Sequence, residues 1–391
     1  MDECRRVLDQ NWRTGTRRGV RFAYTCPSPA RYPWQWYWDS FLTAIAARHL
    51  HPERPRAELE SLLAAADPDG FIGHTIFWER PVTRTRQLFY NVHNVRSRAD
   101  AMTATIQPPL LAWAWLITVG DPRAEPRILA HHRAVLDRRD LEGDGLIWII
   151  SPDESGLDAS PTFDSVWGWR AHGTPGFIAL VHRNRRLGFD ARAVRRAGGP
   201  LVCGALTNTL HGLSRLALGQ PSITPAMIDR LYDESSGLFG HEAWPGRRRP
   251  RVVAWAALAP LALPDLPEAI ARRLVEEHVL DPTRFWLSVP PPSVAANERT
   301  FSMKDTFVGL RRYWRGPTWV NSAWLVWLGL LRLGYDVQAQ ELARRVLRAV
   351  AGAGLREYYD PMTGIGMGAP DFAWSSLAAE FVVCDPRARH S

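Results

Sequence analysis

Along most of the chain apolar residues return every third or fourth position, the spacing of a helix with one buried face. Residues 40–50 (SFLTAIAARHL) and 56–66 (RAELESLLAAA) read as two helices joined by HPER. Residues 108–119 (PPLLAWAWLITV) open on two prolines, which a first turn tolerates because its N–H groups have no partner there anyway, and 123–139 follows. The 201–219 segment ends on a capping glycine and precedes 224–233, with Thr224 as N-cap. Residues 252–263 pair with 267–280, 319–334 with 336–354, and 371–383 closes the series. Strand patterns are few and short. About a dozen helices arriving in twos predict an all-α toroid of helical hairpins, with a solenoid as the competing architecture. No repeat of roughly 20 to 50 residues supports the solenoid. No low-complexity linker divides the chain, so residues 1–391 read as one domain, with 67–107 and 280–318 as candidate lids or site walls.

Composition narrows the chemistry. The 391 residues include 18 tryptophans, many beside polar groups as in WQWYWDS. An indole offers a flat apolar face and one donor, which suits a partner that is half apolar and half hydroxylated, as a sugar is. The net charge is +8 and Lys304 is the only lysine. GRRRPR (246–251) is the one tight basic cluster, and no nucleic-acid reading motif accompanies it. Cys4, Cys26, Cys203 and Cys384 show no metal spacing. The first residues, MDECRRVLDQ, carry no apolar signal core, and no apolar run is long enough for a membrane span. The expectation is a soluble cytoplasmic protein with no nucleic-acid or membrane partner.

The unusual residues sit in the longer loops. Asp39 in YPWQWYWDS reads equally as a helix cap or a ligand contact. His74 in FIGHTIFW and Gln107 in ATIQPP have ordinary structural readings as well, a satisfied loop histidine and a capping amide. Asp360 looks like a turn former, Asp371 like an N-cap, and DLEGDG like a turn rather than a cation loop. The stretch SPDESGLDASP (151–161) concentrates Asp153, Glu154 and Asp158 at the end of an apolar run. Glu357 is bracketed by Leu355, Tyr358 and Tyr359, where a lone carboxylate is costly without a purpose. Two separated carboxylate loops among aromatic platforms and amide and guanidinium donors are what glycoside hydrolysis needs: one carboxyl protonates the leaving oxygen, the other activates water or attacks directly. The acid needs a raised pKa, which apolar or like-charged neighbours supply; Glu154 is placed to supply like charge to Asp158.

Six ordered blocks carry a resemblance: YPWQWYWDS, FIGHTIFW, IQPPLLAWAW, GDGLIWIISPDESGLDASP, YWRGPTWVNSAW and EYYDPMTGIGMGAPDFAWSS. In them the chain resembles the bacterial glycoside hydrolase family 63 group that contains mannosylglycerate and glucosylglycerate hydrolases. The resemblance implies an (α/α)6 barrel and an inverting mechanism without a cofactor. It makes Asp158 the general acid, Glu357 the general base and Glu154 either a tuning group or a support behind the residues that touch the sugar. It implies that Tyr32, Trp36, Trp38, Asp39, Gln107, Trp314 and Arg315 line the sugar site, with His74 as a looser match. Relatives that oligomerise leave a homo-oligomer open. Departures bear on substrate. Ala159 stands where the group more often has Asn, Asp153 where it often has Trp, and Tyr37 where it has Asn. A mid-chain arginine of the glycerate-binding members aligns with Asn208, with Arg215 one to two turns further on. A neutral α-glucoside or α-mannoside is therefore the alternative substrate. A sugar epimerase or isomerase would want paired histidines, which His74, His172, His211 and His241 do not offer. A non-catalytic sugar-binding protein would have lost one of the two carboxylates, and both are present. The short chain implies trimmed lids and an open pocket.

Overall fold

The computed structural model describes residues 1–79, 102–168, 171, 174–246, 252–304, 306–307, 310–311 and 313–383. Most of the 67–107 lid candidate, parts of 280–318, the GRRRPR arginines, His172 and Cys384 lie outside them.

The toroid is the observed architecture. Its inner ring runs Tyr37–Ala47, Leu111–Thr118, Ala205–Ala217, the 3₁₀ turns Trp255–Ala257 and Ala259–Ala262, Val320–Arg332, and Ala373–Leu377 continuing into Ala378–Val383. Each segment packs on the next and the last packs on the first, which closes the ring. Outside it lie Arg54–Ala65, Glu125–Arg139, Thr224–Leu231, Glu268–Leu274, Asp336–Ala353 and Asp2–Asn11. Burial follows the layers. Every residue of Tyr37–Ala47 is buried, whereas Asp336–Ala353 buries only Ala339, Leu342, Ala343, Val346 and Ala349, one stripe at helical spacing.

Some local expectations change. Leu201–Gly204 is a strand paired with Trp148–Ile149 and His241–Trp244, so the helix starts only at Ala205. The 252–263 segment is not an α-helix, because Pro260 lacks an N–H and its ring obstructs the preceding turn. The last segment opens as a 3₁₀ helix and becomes α only at Ala378. The amino-terminal helix was not anticipated, because charged residues mask its buried Cys4, Val7, Leu8 and Asn11. It supplies the outer partner that the last inner segment lacks in sequence. Asp371 is not an N-cap: its carboxylate takes Arg6 at 2.6 Å and so docks that helix. Thr224 makes no cap hydrogen bond to its own helix and instead donates to Asp265.

One buried acid staples the layers. Glu58, on the outer helix Arg54–Ala65, accepts Thr43 Oγ1 at 2.8 Å from the inner helix and Thr25 Oγ1 at 2.9 Å from the hairpin Trp12–Arg17/Val20–Thr25. Burial pushes its pKa up to about 7, with these hydroxyls opposing. A carboxyl with a higher pKa folded than unfolded contributes stability that is full below the unfolded value and lost as pH rises through the folded one. Wild-type stability is therefore expected to fall by on the order of 3 kcal/mol between about pH 5 and 8 from this group. Glu58→Gln should flatten that slope in a series of denaturation midpoints; an unchanged slope would assign the pH dependence elsewhere.

Candidate active site

The short strands gather where inner helices begin. Gln35–Trp36 pairs with Thr75–Ile76 and leads directly into Tyr37–Ala47. Trp148–Ile149 leads into the Asp158 loop and is held by the strand that precedes Ala205–Ala217. Arg356–Tyr359 pairs with Gly366–Pro370 and is tied to Thr318 by paired 2.8 Å bonds, just before Val320–Arg332. At this end of the ring is a cleft with about 470 Å³ of space, partly open to solvent.

Eight residues expected from the sequence line it: Tyr32, Trp36, Trp38, Asp39, His74, Gln107, Asp158 and Trp314. The reading missed Pro27, Gly156, Tyr313, Phe372 and Trp374. The last three lie inside blocks already singled out, beside Trp314 and Asp371, and the signal was the aromatic character of those blocks. The rings form an unbroken edge-to-face wall: His74 to Trp36 at 5.2 Å, Trp36 to Tyr32 at 5.8 Å, Tyr32 to Phe372 at 6.0 Å, Phe372 to Trp374 at 5.0 Å and Trp374 to Trp38 at 5.3 Å. Such contacts fix ring planes at about 0.5–1.5 kcal/mol each beyond area burial. Trp314 is clamped flat against Trp319 at 4.0 Å.

Gln107 both lines the cleft and caps a helix, though not its own. Its Oε1 accepts the Trp38 N–H at 2.9 Å, one of the orphan donors in the first turn of Tyr37–Ala47. Asp39 sits in that same turn, past the N-cap position held by Trp36, and lines the cleft. Tyr37 turns away, its hydroxyl 2.5 Å from His131 Nε2. Gly156, at φ +73°, lets the Asp158 loop lie on Trp38; a Cβ there would stand 3.1 Å from the indole. Ala159 follows at φ +62°, a conformation that costs a residue with a Cβ about 1–2 kcal/mol. Ala159→Gly is expected to raise stability by about 0.5–1 kcal/mol, less than the strain because glycine gains unfolded-state entropy; a denaturant titration with unchanged slope measures it.

Three carboxyls lie at or behind the cleft in different settings. Asp158 is exposed on its lining. Glu357 is fully buried and does not itself line the cleft. It accepts the Tyr313 hydroxyl at Oε1, and at Oε2 the Ala369 N–H at 2.7 Å and Arg31 at 3.4 Å. Asp39 is 5% exposed. Burial, and after it the charges of Glu357, Glu58 and Asp158, push the Asp39 carboxyl well above the usual range. Behind His74, Asp153 Oδ2 lies 3.7 Å from Nδ1. Burial works against the Asp153 charge, but His74 together with Ser151 and a backbone N–H outweighs it and leaves that carboxyl below its ordinary value.

Two expected site residues belong to the frame instead. Glu154 has no exposure; it pairs with equally buried Arg139 at 2.6 Å and accepts the N–H groups of Ile106 at 3.0 Å and Ile150 at 2.8 Å. Its charge is compensated, so it is not the like-charge tuner of Asp158 that the sequence suggested. Arg315 does not line the cleft; it grips Asp164 through both terminal nitrogens at 2.8 and 2.5 Å. Asn208 spends its amide on Ile147, at 2.7 and 3.2 Å, and on the Gly204 carbonyl, and Arg215 donates to the Pro221 carbonyl. Neither reaches the cleft lining. His211 stacks on His132 at 4.7 Å, away from the cleft. Asp360 and Asp140 accept backbone N–H groups in turns, as expected. Among the described residues no cluster of three or more metal-ligating side chains occurs, and no helix is long and apolar enough to cross a membrane.

The model for the mannosylglycerate hydrolase MGH1-like glycoside hydrolase domain matches residues 32–375. Mannosylglycerate hydrolase of Thermus thermophilus is 28% identical over 421 residues, which is 93% of this chain and 98% of that protein. Glucosylglycerate hydrolase of Mycolicibacterium hassiacum is 24% identical over 455 residues, covering 93% and 97%. A crystal structure of family 63 mannosylglycerate hydrolase from Thermus thermophilus, in complex with Tris and D-glycerate, superposes with a TM-score of 0.80 at 25% identity, over 97% of this chain and 99% of that one.

Proposed function

Since the chain belongs to the mannosylglycerate hydrolase MGH1-like glycoside hydrolases, we propose that it hydrolyses a small α-glycoside with inversion, with Asp158 as general acid and Glu357 as general base. The observation that carries this reading is geometric: Asp158 lines the cleft beside Asp39, and Glu357 lies behind the same cleft, bonded to the lining residue Tyr313. That placement supports a reading in which two acids far apart in the chain serve one hollow. In the proposed cycle the aromatic wall seats the sugar and excludes bulk water. Asp158 gives its proton to the leaving oxygen while a water activated from the Glu357 side attacks the anomeric carbon. Asp39, whose carboxyl burial pushes above the usual range, contacts the sugar hydroxyls. No cofactor takes part.

Relatives act on mannosylglycerate and glucosylglycerate, and those two glycosides are the leading substrates here. A neutral α-glucoside or α-mannoside is the second reading. It is favoured by one observation: neither Asn208 nor Arg215 brings a cation to the cleft lining for a glycerate carboxylate. A panel of α-glucosides and α-mannosides, with and without a carboxylate on the aglycone, separates the two. Proton NMR of the first turnover tests inversion: the free sugar should appear first as the β anomer, and initial α product would mean retention. The described cysteines are buried and unpaired, in keeping with a cytoplasmic location.

A further inference from the structure

Among the described residues His74 is the one cleft-lining side chain that can carry a positive charge; no arginine or lysine stands in that lining. The same lining holds the carboxyls of Asp39 and Asp158. An anionic group entering there meets like charge unless a positive contact receives it. His74 is held in one place. Its backbone N–H donates to the Thr105 carbonyl and its carbonyl accepts the Tyr37 N–H, each at 2.9 Å. The Trp36 ring meets the imidazole at 5.2 Å and 69°. Behind it, Asp153 Oδ2 lies 3.7 Å from Nδ1, on the turn Pro152–Ser155. With Nδ1 turned to that acid, Nε2 is the ring nitrogen left for a ligand. Burying a carboxylate is costly unless it is paired. Among the described residues no arginine or lysine pairs with Asp153, so His74 is its only partner of opposite charge.

We infer that the His74 imidazolium, paired with Asp153, is the specificity-determining contact that receives a carboxylate on the substrate. This rests on the glycosidase reading and chooses the charged class of substrate over the neutral one. Asp153 acts through His74 and is a positioning residue: it turns Nδ1 away from the cleft and supplies the countercharge. Two sources of the carboxylate fit, an aglycone such as glycerate or a uronic acid in the sugar itself, and matched substrates tell them apart.

The test is a ratio, kcat/KM on a charged substrate divided by that on its neutral twin. The pairs are α-glucosylglycerate with α-glucosylglycerol, the two mannosyl counterparts, and methyl α-glucuronide with methyl α-glucoside. Groups that serve bond cleavage alone cancel in this ratio. Wild type is expected to favour the charged member of a pair by about 10- to 100-fold, the range of a hydrogen bond to a charged group. A preference in the glycerate pairs puts the carboxylate on the aglycone; a preference in the glucuronide pair puts it on the sugar. His74→Gln keeps a polar side chain without the charge and should bring the ratio to within about twofold of one, mainly through KM. Asp153→Asn should lower the same ratio by about threefold or more, because the imidazole loses its countercharge. A structural role for either residue would slow both members alike and leave the ratio where it was, so an unchanged ratio in either variant overturns the inference. Should a variant fail to fold, the wild-type ratio decides. A value near one in every pair overturns the inference and leaves the glycosidase reading standing. If no substrate of the panel is cleaved, that reading falls, and the inference with it.

Discussion

Asp158→Asn and Glu357→Gln are each expected to lower kcat on a natural glycoside by roughly 10³-fold or more, within the range of general acid and base contributions taken with a developing charge. The two losses should differ in their side effects. Asp158 is exposed, so its amide folds as wild type. Glu357 is buried among donors only. A carboxamide there keeps one acceptor but turns an N–H₂ group toward a donor, an unmet hydrogen bond worth about 1–3 kcal/mol. Glu357→Gln should therefore be measurably less stable as well as inactive, and Asp158→Asn inactive only. Thermal midpoints beside single-turnover rates check both halves. Wild-type turnover in either variant removes that carboxyl from the mechanism.

The second large effect is structural. Arg139→Met strands the Glu154 carboxylate in a site with no exposure, keeping only the Ile106 and Ile150 N–H groups as partners. Breaking a buried pair from one side costs about 3–5 kcal/mol. Arg139 also donates to the Phe189 carbonyl at 3.0 Å, so the loss belongs at the upper end. Glu154 lies in the turn Pro152–Ser155, immediately before the Gly156 bend that lays the acid loop on Trp38. Activity should fall with stability, because Asp158 loses its footing. Arg139→Met combined with Glu154→Gln should recover more than half of the lost stability, since the uncompensated charge is gone. Urea midpoints at constant slope measure this; a single-variant cost below about 1 kcal/mol would mean that the buried pair does not anchor the loop.

Much of the site was legible because its residues contradict their surroundings. A glutamate amid Leu355, Tyr358 and Tyr359, three carboxylates in a stiff loop, and tryptophans beside polar groups are costly arrangements without partners, and the structure brings Asp158 and several of the aromatic residues to one cleft. Glu154 and Arg315 were misread for a shared reason. A charged residue in a functional-looking block is equally well explained by a buried partner far along the chain, and neither Arg139 nor Asp164 announces itself by spacing. Tyr313 was passed over because a tyrosine beside Trp314 carries no local sign that its hydroxyl faces an acid 44 residues later.

The sequence by itself determined the helical periodicity, the pairing of neighbouring helices and the identity of the acidic loops, because these depend on residues a few positions apart. Proline chemistry would also have predicted the 3₁₀ turns within 252–263 had it been weighed against the apolar pattern. Only the tertiary structure decided that the amino-terminal helix backs the last inner segment, and which acids face the cleft and which are neutralised behind it. Those outcomes turn on burial and on partners distant in the chain, and desolvation and charge pairing act through space rather than along the backbone.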